Sequence, residues 1–199
     1  KSLLLLGLME LLSQRVERLG CFRPVIRDHS VPDNDIELVR TQYGLSQSFD
    51  MSYAVTYDQA RELIGSGRRS ELLEQILDRF SALQQQCDFV VCEGTDYTGV
   101  SSAFEFEFNA QVANHLGCPV IVALNGQGRS PRQVADNITS TRTAFQAEGC
   151  TIVATVVNRT SLDASNTTRA VPQDWPEGEL LYFIPELATL SSPTIGEIA

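Results

Sequence analysis

Four apolar runs separated by helix-length segments constrain this chain most: residues 88–92 (DFVVC), 119–124 (PVIVAL), 150–157 (CTIVATVV) and 180–184 (LLYFI). A strand without polar alternation expects cover on both faces, the condition of a parallel strand between helical layers. The first two segments between the runs read as helices. Residues 131–147 open on Pro131 and close before Gly149, and a helix over residues 106–116 stops at Gly117. Upstream, residues 3–18 place Leu5, Leu8, Leu12 and Val16 on one side, with Gly20 as the stop. Residues 21–26 read as a short strand. Residues 33–40 read as a helix with acidic residues in its first turn, and residues 57–64 and 70–85 as two more, broken by Gly65-Ser66-Gly67. Residues 161–179 are a loop-rich excursion before the last strand. This alternation specifies βαβ crossovers and an α/β fold, a doubly wound, mostly parallel sheet with helices on both faces.

Charge narrows the function. A formal net charge of −10, with a single Lys and scattered Arg residues, provides no basic patch and argues against a nucleic-acid partner. No stretch approaches the roughly 18 apolar residues of a membrane span, and the run at residues 3–6 is followed by Glu10, so a cytoplasmic protein without membrane contact is expected. The five Cys form no CxxC pair and read as buried free thiols. His29 and His115 lack metal-ligand spacing. Phe104, Phe106 and Phe108 alternate around Glu105 and Glu107, which suits a strand edge, a helix contacting another subunit, or core packing.

Lys1-Ser2, leading directly into a helix, match the tail of a phosphate-binding loop. In such loops the Lys supplies a point charge to phosphate and the hydroxyl reaches the metal. Several further stretches sit in the same order as in a known family. These are Phe22-Arg23-Pro24-Val25, Asp33-Asn34-Asp35-Ile36-Glu37, Val90-Val91-Cys92-Glu93-Gly94, Val156-Val157-Asn158-Arg159, Ile184-Pro185-Glu186 and Ser192-Pro193-Thr194-Ile195-Gly196-Glu197-Ile198. Together they resemble the dethiobiotin-synthetase-like P-loop domains that also stand at the amino end of many bacterial phosphate acetyltransferases; the closing phrase is similar to the acetyltransferase version. The resemblance covers nearly the whole chain. It implies one P-loop NTPase-like domain over residues 1–199, with a first strand and Gly-rich loop expected upstream and a catalytic acetyl-transfer domain downstream.

The same resemblance implies a non-catalytic domain serving oligomer assembly and metabolite regulation. Its expected partners are a second copy of itself, the downstream domains of the same polypeptide and a small-molecule effector. It also suggests the candidate ligands, ATP and Mg²⁺. Lys1, Ser2, Arg23, Glu93, Gly94 and Asn158 are the nucleotide- and phosphate-binding candidates, and Ser2, Asp33, Asp35 and Glu93 the metal candidates, with Lys1 and Glu93 facing each other across a crevice at the strand ends. Plainer roles stand beside these: a loop-capping carboxylate at Glu93, helix amino-terminal acids at Asp33 and Asp35, a surface ion pair at Arg23, a turn at Asn158. Two rival functions remain open, a stand-alone ATP-dependent ligase of the dethiobiotin type and a scaffold that binds no nucleotide.

Overall fold

In the computed structural model, which describes residues 2–30, 32–95, 102–161 and 163–187, every strand pairing is parallel. The chain divides into two compact units, Lys1–Leu116 and Gly117–Ala199.

The first unit carries a three-stranded sheet in the order β2-β1-β3, formed by β1 (Leu19–Ile26), β2 (Tyr53–Thr56) and β3 (Phe89–Cys92). Its helices are α1 (Ser2–Ser13), α2 (Asn34–Tyr43), α3 (Tyr57–Gly65), α4 (Arg69–Gln84) and α5 (Ser102–His115). Side chains on β1 alternate between two helical layers. Leu19 and Cys21 join Leu5 and Met9 of α1, Val39 of α2 and Val91 in one buried cluster. Phe22, on the opposite face, meets Phe80 of α4 edge-on at 5.5 Å. Both faces of the central strand are therefore covered, as its apolar composition requires.

Helix α1 ends at Ser13, short of residue 18. The N–H groups of Arg15 and Val16 both turn back to the Leu12 carbonyl at 2.9 Å, and the Ser13 hydroxyl donates to the Glu10 carbonyl at 3.0 Å, a local bond that competes with helix continuation. Gly20 is not a helix stop but part of β1: a Cβ there would lie 2.7 Å from Cys87 Sγ. One rung before β2 begins, the buried Gln47 amide takes the place of a strand partner. Its Oε1 accepts from Cys21 N–H at 2.9 Å and its Nε2 donates to the Cys21 carbonyl at 2.6 Å.

The second unit holds β4 (Val120–Asn125), β5 (Ile152–Thr160) and β6 (Leu180–Pro185) in that order, with α6 (Pro131–Ala147) and α7 (Ala164–Arg169). Val134 and Ile138 of α6 pack with Val157 and Ala170, and Leu124, Trp175, Leu181 and Phe183 close around them. Helix α6 begins with a reciprocal cap, Ser130 and Gln133 each satisfying the other's backbone N–H. The excursion before β6 contains a helix, α7, where the sequence suggests only loop; Asp163 caps it by accepting from Asn166 N–H at 2.8 Å.

The flanking strands are less covered than their composition suggests. Phe89 on β3 is 47 % exposed, Ile121 on β4 40 % and Tyr182 on β6 52 %. Each of these strands lies at an end of its three-stranded order. Among the described residues no helix is long and apolar enough to cross a membrane.

Candidate functional site

The chemistry in the first unit gathers where β1 and β3 end side by side. The two strands pair from Leu19↔Phe89 to Phe22↔Cys92, and Glu93 N–H closes the ladder onto the Phe22 carbonyl at 2.8 Å. Arg23 then donates its N–H to Ser52 beside β2 at 2.8 Å. Alternation makes residue 24 the next donor toward β3. That residue is proline and has no N–H, so the ladder stops and the chain after Cys92 leaves the sheet. The sequence thereby places the Arg23 side chain beside the Glu93-Gly94-Thr95 loop.

The departing loop is fixed by Asn109 of α5. Its Oδ1 accepts from Thr95 N–H at 2.8 Å and its Nδ2 donates to the Thr95 carbonyl at 2.9 Å. Gly94 passes so close that a Cβ would lie 3.3 Å from Asn109 Oδ1. The Thr95 hydroxyl, sealed from solvent, has no hydrogen-bond partner among the described residues.

Arg23 stands on the β1 face that carries α2 and draws three carboxylates together. Its Nη1 donates to Asp33 Oδ1 and Oδ2 at 2.7 and 2.9 Å and to Asp35 Oδ2 at 3.1 Å, while Nε lies 3.7 Å from Glu93 Oε2. The side chain is only 14 % exposed. Burial pulls the guanidinium pKa down, but Glu93, Asp33 and Asp35 together hold it above its ordinary value. Cys21 lies two residues before Arg23 on the same face. Burial first, and the Glu93 charge second, push its thiol up to about 12.

The two aspartates also serve α2. Asp33 caps α2 by accepting from the N–H groups of Asp35 and Ile36, and Asp35 sits in the first turn, where the helix dipole favours it. These carboxylates are thus organised around a guanidinium. Among the described residues no group of three or more His, Cys, Asp or Glu side chains is placed to hold a metal ion.

Four of the candidates, Arg23, Asp33, Asp35 and Glu93, therefore meet in one cluster, with Gly94 next to it. Lys1 and the side chain of Ser2 lie outside the described residues, and with them the expected approach of Lys1 to Glu93. Asn158 belongs to the second unit, at the carboxyl ends of its strands. There its carbonyl accepts from Gly126 N–H at 2.7 Å and its Oδ1 from Arg159 N–H at 2.9 Å. Arg159 adopts a left-handed backbone (φ 58°) and pairs with Glu186 at 2.8 Å. A non-glycine residue held in that region is uncommon and marks a local constraint.

Sequence reasoning missed Thr95, Asn109 and Arg159. The signal at Asn109 was a lone amide three residues after Phe106, beside the fully buried Phe108. Of the Phe triplet, Phe106 and Phe108 lie on a helix and not on a strand, and Phe104 lies outside the side chains described.

The AAA domain family profile matches residues 1–194 of this chain. A phosphate acetyltransferase of Nitratidesulfovibrio vulgaris is 36 % identical over 205 residues, covering 100 % of this chain and 29 % of that protein. One from a Synechocystis species is 32 % identical over 172 residues, covering 85 % of the chain and 25 % of the protein. A third, from Salmonella typhimurium, is 22 % identical, covering 94 % and 27 %. The chain thus spans under a third of the length of these relatives. The solved arginine decarboxylase of Paramecium bursaria Chlorella virus aligns at 12 % identity with a TM-score of 0.36, a likeness too slight to bear on fold or function.

Proposed function

Because the chain belongs to the AAA domain family, and its relatives named phosphate acetyltransferase match it as part of a longer protein, we propose that it is a non-catalytic regulatory and assembly segment of a phosphate acetyltransferase. In the complete protein, acetyl-CoA and phosphate would interconvert with acetyl phosphate and CoA, with the acyl chemistry carried by other residues of the polypeptide.

The observation that carries this reading is the cluster at Arg23, where one guanidinium draws three carboxylates together. A P-loop site that worked on Mg-ATP would direct its carboxylates toward metal and water. Here the same carboxylates hold a guanidinium and fasten α2 and the 93–95 loop to β1. The cluster is suited to holding strand ends in one arrangement, which is what an assembly surface or a sensing domain needs.

The test is sedimentation of the complete protein beside a version lacking these 199 residues. The proposal expects the shortened protein to form a smaller assembly. An unchanged number of subunits would count against the assembly role.

A further inference from the structure

A groove in the second unit, remote in sequence from the Arg23 cluster, has the makings of a ligand site. It occupies about 740 Å³ between one face of α6 and the segment after α7, within the range of small-molecule sites. Arg132, Thr139 and Arg142 line it from the helix, and Arg169, Val171 and Pro172 from the other side.

Arg142 is the fixed element. It is only 10 % exposed, and its Nε and Nη2 donate to both oxygens of Glu179 at 2.9 and 2.8 Å. The guanidinium lies 4.6 Å from the centre of the Trp175 ring, and Trp175 Nε1 donates to the Glu179 carbonyl at 3.0 Å. The bidentate bond and the stacking hold the guanidinium plane still and leave the N–H groups of Nη1 outside the Glu179 pair. An immobilised guanidinium loses little freedom when it binds an oxyanion.

The other two arginines are not neutralised in the same way. Arg132 reaches Asp136 only at 4.0 Å, with both side chains largely in solvent, a contact of little energetic worth. Arg169 has no ion-pair partner among the described residues. Asp136 and Asp174 also line the groove, so its field is close to balanced and a bare net charge would not draw anions in. Recognition must rest on directed donors. Three guanidinium groups and the Thr139 hydroxyl offer more donors than one carboxylate can accept, but a number that phosphate oxygens can use.

We propose that this groove binds a phosphate- or diphosphate-bearing small molecule, with Arg142 as its fixed donor and Arg132 and Arg169 closing on it. The inference goes beyond the acetyltransferase reading and does not depend on it.

Trp175 is the chain's single tryptophan and stacks on Arg142, so its fluorescence reports the site. The experiment is titration with inorganic diphosphate, without divalent metal and at constant ionic strength. A saturable change with a midpoint at roughly millimolar concentration or below is expected. The exposed double variant Arg132→Ala/Arg169→Ala keeps the buried Arg142–Glu179 pair and should raise the midpoint about tenfold. Arg142→Lys, which retains charge but loses the fork, should raise it similarly. Arg15→Ala, at the end of α1, should leave it unchanged. No saturable change, an unaltered midpoint in the double variant, or equal weakening by Arg15→Ala would each overturn the proposal.

Discussion

Arg23 is the residue on which the first unit's site turns. Three carboxylates share one guanidinium in a largely solvent-excluded place, and removal of the cation takes away the charge that draws them together. Breaking a buried ion pair from one side is far more costly than the pair's own net contribution. Arg23→Met should therefore lower stability by about 3 kcal/mol, read from the midpoint of denaturant unfolding. Arg23→Lys should recover only part of the loss, because an ammonium cannot match the fork that meets Asp33, Asp35 and Glu93 together. Equal stability of Arg23→Met and the parent chain would mean that the carboxylates find their compensation elsewhere.

At the scale of elements, strand endings determine where chemistry gathers. Pro24 ends one ladder, and Asn109 holds the chain that leaves it. Asn109→Ala removes both bonds to Thr95 and should destabilise the unit by about 2 kcal/mol. The accompanying mark is faster amide exchange at Glu93–Thr95 with little change in β1; uniform acceleration throughout the unit would argue against a local clamp.

The long elements were legible in the sequence because hydrophobic period and end signals agreed, as in α6 between Pro131 and Gly149 and in α3 up to its Gly65 end. Two elements were not. Strand β2 has only the four residues Tyr53–Thr56, and Thr56 already serves as the cap of α3, so its pattern is too short to separate from the helix start. Helix α7 is built from Ala, Ser, Asn, Thr and Arg, poor in strong helix formers apart from its ends. The site was legible as single residues and not as a cluster. Arg23, Asp33, Asp35 and Glu93 each carried a local signal, but their meeting depends on parallel register. The Arg142–Glu179 pair spans 37 residues and follows only from the packing of α6 against the chain before β6. No local pattern records such a pairing.

For the whole molecule, two parallel sheets flanked by helices fit a P-loop-like family, while four of the residues singled out by that resemblance, Arg23, Asp33, Asp35 and Glu93, are engaged here with one another. Fold and chemistry are separable in this way: the architecture places strand ends together, and side chains decide what those ends do. The central proposal is that this chain is part of an acetyltransferase without itself performing the transfer. It is tested most directly by phosphate-dependent release of CoA from acetyl-CoA. The assay would compare the complete protein, the same protein without these 199 residues, and the 199-residue chain alone. The account predicts turnover by the complete protein, turnover per active site within about tenfold (~1.4 kcal/mol in barrier) for the shortened form, and none by the chain alone. Acetyl transfer by the isolated chain, or its absence from the complete protein, would contradict the account.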